Sequence, residues 1–371
     1  MRHAHPAPFW GYSYNESDRV KKSAPKQGRQ EGRAATIADV ARMAGVSVAT
    51  ASRTVNRTRP VAADLRTKVL AAARQLGYSP NPHARALAQA HDTTVGVIVH
   101  DVSDPYFSEI VRGILQATSD DGQMVLIGNT YRDRERELAY MAAFRARRTS
   151  ALILAGSGME DREFGAKMTR QILDFEAAGG RAALIGRHYA PGDVVMADNL
   201  GGARALAMHL AELGHRVIGV ISGPAGLTTT HDRLAGFRAG LAESGLSLPD
   251  EHVAVGGDFT RDAGFSGTVE LLKRVRRMTA IFAMNDIIAV GTLTALRERG
   301  VRVPEEVSVC GFNDIPWARD LWPPLTTVHL PMFEMGKRAL ELARMPRAAE
   351  IRVEHLPTRL VVRMSTAPAA R

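Results

Sequence analysis

From residue 93 onward, short apolar runs alternate with amphipathic stretches, and this alternation limits the fold more than any other feature of the chain. Seven runs stand out: VGVIV (95–99), MVLIG (124–128), ALILAG (151–156), AALIG (182–186), VIGVISG (217–223), TAIFAM (279–284) and VSVCGF (307–312). Each is short and nearly continuous in apolar residues, as a strand buried on both faces must be. Between them, Ser108–Thr118, Glu135–Arg147, Gly201–Leu213, His231–Ala242, Ala263–Leu272 and Ile287–Arg299 read as helices. Strands of this kind separated by helices imply parallel sheets covered on both sides. With about 280 residues and this many units, two α/β lobes are expected rather than one sheet. Ligands in such folds bind beyond the carboxyl ends of the strands, so a cleft between the lobes is the expected ligand site.

The first ninety residues have another character. Residues 1–35 are rich in Pro, Gly, Ser, Lys and Arg without periodicity and read as a flexible basic arm, although a misplaced start codon would look the same. The chain carries a net charge of +9, unevenly spread. Residues 1–90 hold fifteen Lys and Arg against five Asp and Glu, and the other 281 residues hold thirty-three against thirty-four. An excess confined to one end suits a nucleic-acid-binding module, and it also suits a solubilising tail. Charge alone does not separate the two.

The stretch VARMAGVSVATASRTVN (40–56) favours the first reading. Thr36 with Asp39 three residues later forms a capping-box-like helix start, with Asp in place of the usual Glu. Ile37, Val40, Ala41 and Ala44 repeat at helical spacing, Gly45 breaks the helix, and Ser47 can cap a second helix running to about Val55. Two helices joined by three or four residues have helix-turn-helix spacing, and Ala41, Ala44 and Ala51 let them pack closely. Small residues at the start of the second helix let its backbone lie deep in a major groove. Val48 and Ala49 suit thymine methyls, Arg53 a guanine edge, and Ser47, Thr50 and Ser52 phosphates or bases. Asn56 closes the helix and joins this candidate DNA-binding set.

TIADVARMAGVSVATASRTVN, followed by RPVAADLRTKVLAAARQLGYSPNPHARALA, closely resembles the headpiece of the lactose-repressor/galactose-repressor (LacI) family of bacterial transcription regulators. The resemblance runs over roughly residues 36–366. It implies a three-helix headpiece, a hinge helix and a two-lobed α/β domain like a periplasmic sugar-binding protein, which agrees with the alternation above. Two positions depart from the family pattern. Ala51 replaces the usual valine, removing two methyls worth about 0.8 kcal/mol each when buried. Ala62 replaces a serine cap, a loss of about 1 kcal/mol. In the family, NPxARxLA forms a helix on DNA and a leucine wedges into the minor groove. The matching residue is Leu87, with Ala84 on the same face.

Polar and aromatic residues collect at the strand ends. DPYFSEI supplies Tyr106 and Phe107, HDRLAGF supplies Arg233, GGDFTRDAGF supplies Phe259, AMNDIIAVG supplies Asn285 and Asp286, and CGFNDIPWA supplies Asn313. By resemblance, Phe107, Arg233, Phe259, Asn285 and Asn313 match effector-contact positions of the family. Amide, carboxylate and guanidinium groups bind sugar hydroxyls, while an aromatic face packs on the C–H side of the ring. Asp286 can bind ligand or cap the following helix and fix Asn285. Asn313 stands where the best-known family members carry aspartate, which disfavours a cationic or purine-like ligand. With Arg187, Arg233 and His231 nearby, the cleft is expected to be net positive, so a sugar acid or sugar phosphate stands beside a neutral sugar. His3, His5, His209 and His215 are expected on the surface.

No phosphate loop with lysine, H-E-x-x-H motif or cysteine cluster is present, so neither a catalytic set nor a cofactor or metal is expected. A single cysteine, no secretory signal and no apolar run of about 18 residues point to a cytoplasmic protein without a membrane partner. The expected organisation is arm 1–35, headpiece 36–80, hinge 81–92, effector-binding and dimerisation domain 93–366 and tail 367–371. The expected function is a sequence-specific regulator, a repressor controlled by a small carbohydrate-like effector. It would bind a palindromic double-stranded operator as a homodimer, since RLVVRMSTAPAAR adds no leucine heptad for a tetramer. A transport-type protein of the same two-lobed fold and an effector-dependent activator are the alternatives.

Overall fold

The computed structural model describes residues 35–56, 60–78, 94–119 and 121–369, the side chain of Asn56 excepted. The chain divides into two compact units, one running to Arg85 and one beginning at Ala86.

The first unit is three helices: α1 (Ile37–Ala44), α2 (Val48–Asn56) and α3 (Ala63–Gln75). Thr36 Oγ1 accepts the Asp39 N–H while the Asp39 carboxylate accepts the Thr36 N–H, so the expected capping box forms. Gly45 turns the chain in the left-handed region at φ 65°, which costs glycine little. Ser47 Oγ accepts the Thr50 N–H at 3.1 Å and starts α2. Val40, Ala41, Ala51, Val69, Ala72 and Ala73 make the core. Ala51 is fully buried, so the side chain that is small here is a core side chain. Ala62 gives α3 no side-chain cap.

The second unit contains two parallel sheets. The larger, in spatial order β11-β5-β4-β3-β1-β2, combines β1 (Val95–Val99), β2 (Val125–Asn129), β3 (Ala151–Ala155), β4 (Arg181–Ile185), β5 (Asp193–Ala197) and the late strand β11 (Val353–Leu356). The smaller, in order β7-β6-β8-β9, combines β6 (Ile218–Ser222), β7 (Val253–Val255), β8 (Ala280–Ala283) and β9 (Ser308–Cys310). A short antiparallel pair joins β10 (Thr327–His329) to β12 (Arg359–Val361). All seven apolar runs are strands, and β1, β3, β6 and β8 are buried along their whole length.

Helices α4 (Pro105–Ser119), α5 (Arg134–Ala146), α6 (Arg162–Ala177) and α11 (Met332–Arg344) accompany the larger sheet. α7 (Asn199–Glu212) follows β5, and α8 (Thr228–Glu243), α9 (Arg261–Arg274) and α10 (Asp286–Glu298) accompany the smaller. The six expected helices are all present, and α6 and α11 are additional. Helix α8 lies directly on α7, because a Cβ on Gly236 would sit only 2.1 Å from the Leu200 carbonyl oxygen. That approach brings the first turn of α7 against the middle of α8, where Asn199 meets Arg233.

Two expectations are corrected. His215 is buried, not superficial: Nδ1 meets Thr279 Oγ1 at 3.0 Å and Nε2 meets the Ala367 carbonyl at 3.0 Å. His209 is likewise engaged, with Nε2 3.2 Å from Thr366 Oγ1. The segment expected as a tail packs on the lobe, since Ala367 also accepts from Ser308 and the Ala369 N–H donates to Leu213.

Candidate functional site

The carboxyl ends of both sheets open onto one cavity of about 520 Å³, its open mouth included. Of the residues expected there, Tyr106, Phe107, Arg233, Phe259, Asn285 and Asn313 line it. Asp104, Arg132, Ser157, Asn199 and Thr229 supply further polar lining, and Leu330 and Met335 add apolar surface.

Arg233 organises the floor. It is 3% exposed, and its guanidinium carbon lies 3.9 Å from the centre of the Phe312 ring. Nε donates to Asn199 Oδ1 at 2.9 Å, Nη1 to the Met284 carbonyl at 2.7 Å and Nη2 to Asn313 Oδ1 at 2.9 Å. A guanidinium has five N–H groups, so two remain for a ligand. All three acceptors are neutral. Burial pushes the Arg233 pKa down to about 10, which still leaves it charged at neutral pH.

The amides are held by backbone geometry. Asn285 caps α10 by accepting the Ile288 N–H at 2.8 Å. Asn313 sits at φ 117°, a conformation that asparagine tolerates better than most residues, with its N–H bonded to the Val328 carbonyl. Phe107 stands edge-on to both Tyr106 and His100. Phe259 packs against Gly223, where any Cβ would meet its ring at 2.2 Å. Asp104 accepts the Tyr106 N–H at 2.9 Å, and burial pushes its carboxyl up to about 6.

Two expected site residues are not among those lining the cavity. Arg187 binds Asp232 through Nε and Nη2, the latter at 2.7 Å, and its Nη2 also lies 3.5 Å from Glu160. Its charge is therefore met by protein carboxylates, and His231 likewise faces Glu160 at 3.6 Å. Asp286 is fully buried and accepts from Thr327 Oγ1 at 2.6 Å and from the Ile315 N–H at 2.8 Å. It ties the β9–β10 connection to α10, and the cap expected of it is made by Asn285. Arg132 supplies the second guanidinium. It was hidden in YRDRERE, a run that reads as a solvated charged face.

On the first unit, Ser47, Val48, Ala49 and Arg53 are exposed along α2, while Thr50 and Ser52 are partly buried. Ser47 Oγ and Thr50 Oγ1 lie 2.9 Å apart. The Asn56 side chain and the whole of the expected hinge, 81–92, with Ala84 and Leu87, lie outside the described residues.

Residues 36–81 match the model of bacterial regulatory proteins of the lacI family, and residues 207–366 match a periplasmic-binding-protein-like domain. The chain is 39% identical to the HTH-type transcriptional regulator GalS of Salmonella typhimurium over 313 residues, 83% of this chain and 88% of that one. The chain belongs to the lacI family. This regulator also resembles the lac repressor dimer bound to operator and the anti-inducer ONPF, with TM-score 0.78 and 28% identity over 90% of this chain and all of that one. A complex of the transcriptional regulator CelR with cellobiose aligns with TM-score 0.65 and 31% identity, covering 89% of this chain and 99% of that one. The regulator is thus a helix-turn-helix DNA-binding protein with a two-lobed effector-type domain, and the match over residues 36–81 favours that reading over a transport-type protein. Among the described residues, no helix is long and apolar enough to cross a membrane.

Proposed function

We propose that the regulator represses transcription as a homodimer on a palindromic double-stranded operator, and that a carbohydrate effector in the cavity sets its operator affinity. Arg233 carries the effector half of this reading. A buried guanidinium held by three neutral oxygens, with two N–H groups to spare and aromatic rings nearby, is suited to a polyhydroxylated ring. The cellobiose held by CelR supports the same ligand class.

For DNA, we propose that the start of α2 enters the major groove. Val48 and Ala49 touch thymine methyls, Arg53 reads a guanine edge, and Ser47, Thr50 and Ser52 hold phosphates or bases. The roles of Asn56, Ala84 and the Leu87 wedge rest on the family resemblance. One headpiece reads half of a palindrome, so two copies are needed. The protein works in the cytoplasm, where a bacterial chromosome lies. An effector bound between two sheets favours one arrangement of the lobes, and a coupling of about 1–3 kcal/mol changes operator affinity by roughly 5–150-fold.

The test is fluorescence anisotropy of an operator duplex with the full-length protein, at fixed salt, across a panel of neutral and acidic carbohydrates. At least one is expected to change operator affinity, and Arg233→Ala is expected to abolish that response. An operator affinity indifferent to every carbohydrate would contradict the effector half of the reading.

A further inference from the structure

Arg132 has two unusual features for a charged residue beside a cleft. Tyr131 and Arg132 both have positive φ, 51° and 61°. Left-handed backbone is disfavoured for a non-glycine residue, so two in succession persist only where the surroundings hold them. Here Thr130 Oγ1 accepts the Arg132 N–H at 3.2 Å. The turn aims the guanidinium from the end of β2 in the larger sheet toward the loop after β7 in the smaller.

There Arg132 Nε donates to Asp258 Oδ1 at 2.9 Å, and the guanidinium carbon lies 5.3 Å from the centre of the Phe259 ring. Asp258 also accepts the Phe259 N–H at 2.7 Å. The pair therefore bridges the two sheets. Nε is used, and Nη1 and Nη2 have no partner among the described residues. The side chain lines the cavity and is 20% exposed, so its charge is only partly screened by water.

Asp258 meets the Arg132 charge at Nε, but it is half exposed and is not among the lining residues, so the described lining itself holds two guanidiniums and one carboxylate. The other lining cation, Arg233, is bound only to neutral oxygens, and an amide stands at 313. Asp104, the one carboxylate among the described lining residues, forms no ion pair with either guanidinium, and its Oδ1 is engaged by the Tyr106 N–H.

We propose that Arg132 is the specificity-determining residue of the effector site. Its terminal nitrogens take the oxyanion of an acidic sugar derivative, a carboxylate or a phosphate ester, while Asp258 holds the guanidinium across the cleft. Guanidinium geometry matches either group in a bidentate manner. This inference rests on the carbohydrate reading of the cavity. It adds that the effector is anionic, and that the residue which reads the charge also connects the two sheets.

The test compares D-gluconate, D-glucuronate, D-glucose 6-phosphate and D-glucose, each at about 10 mM, enough to reveal a Kd of roughly 1 mM. Thermal shift and calorimetry are run on the full-length wild type, Arg132→Asn, Arg132→Lys and Asp258→Asn. Asparagine suits the left-handed backbone at 132 and removes the charge. At least one acidic sugar is expected to bind the wild type 10-fold or more tightly than glucose does, carboxylates and phosphate being told apart by which of them responds. Arg132→Asn is expected to erase that preference, Arg132→Lys to keep part of it, and Asp258→Asn to weaken the acid by a smaller factor of about 3–10. A purely structural role would lower the unliganded melting temperature without changing the ratio of acid to neutral affinity. The proposal is overturned if glucose binds as well as the acids, if Arg132→Asn keeps the preference, or if no acidic sugar binds. Tight neutral binding that depends on Arg233 would leave the carbohydrate site standing. Silence from all four probes would count against both readings.

Discussion

Replacing Arg233 by lysine tests the floor of the cavity directly. The guanidinium makes three hydrogen bonds, to Asn199 Oδ1, the Met284 carbonyl and Asn313 Oδ1. A single ammonium placed in that site keeps one of them. Hydrogen bonds to charged groups are worth about 1.5–3 kcal/mol each, so two losses give roughly 3–6 kcal/mol. Asn313 and Asn199 border the cavity and can be rehydrated through it, which places the expected loss near the lower end, about 3 kcal/mol. For a unit of this size, each kcal/mol lowers Tm by about 2–4 °C, giving a drop of roughly 6–12 °C. The two guanidinium N–H groups left for ligand are replaced by ammonium donors that lack the planar fork geometry, so effector affinity is expected to fall about 100-fold, or 2.7 kcal/mol. Helix α2 belongs to the other unit, so operator affinity without effector should stay within about threefold, well under 1 kcal/mol. Differential scanning calorimetry, ligand calorimetry and operator anisotropy on the same preparation measure all three quantities. An unchanged Tm together with unchanged ligand binding would refute this account of the guanidinium.

Glu137 lies buried in α5, and burial alone raises its carboxyl from 4.5 to about 7. The folded state then holds its proton more tightly than the unfolded state, so the group is neutral and harmless below about 4.5 and increasingly destabilising as pH rises through 7. Glu137→Gln should therefore raise stability by up to about 3 kcal/mol at pH 8 and by little at pH 4.5, measured by urea unfolding. An equal gain at both pH values would contradict burial as the cause. Arg53→Ala should weaken operator binding by about 1–3 kcal/mol and relax preference at one base pair of each half-site, readable by anisotropy on single-substituted duplexes. Ala62→Ser should add about 1 kcal/mol to headpiece stability by supplying the cap that α3 lacks, checked by amide hydrogen exchange in α3.

What the sequence made legible follows from burial. Strands β1, β3, β6 and β8 are covered on both faces, so their sequences are apolar throughout and unmistakable. β11, written VEHL, is an edge strand with alternating exposure and carries no such signal, although it completes the larger sheet. The site behaved similarly. Tyr106, Phe107, Arg233, Phe259, Asn285 and Asn313 follow strand ends closely, and the fold brings them to one cavity. Arg187 also follows a strand, but its destination is set by Asp232, forty-five residues away, which no local reading contains. Asn285 and Asp286 are neighbours competing for one cap, and the backbone gives it to Asn285 while burying Asp286. Arg132 escaped notice because it sits among other arginines, and only its partner Asp258, 126 residues on, sets it apart.

The central claim is that this protein reads a specific DNA sequence with two copies of its headpiece. The measurement that tests it most directly is selection of bound duplexes from a random DNA library by the purified full-length protein, at roughly 150 mM salt, where non-specific phosphate contacts are weakened. The account predicts a palindrome of two half-sites flanking a central C-G step, the site for the Leu87 wedge. A bound pool with no shared motif, both without effector and with the carbohydrate panel present, would contradict it.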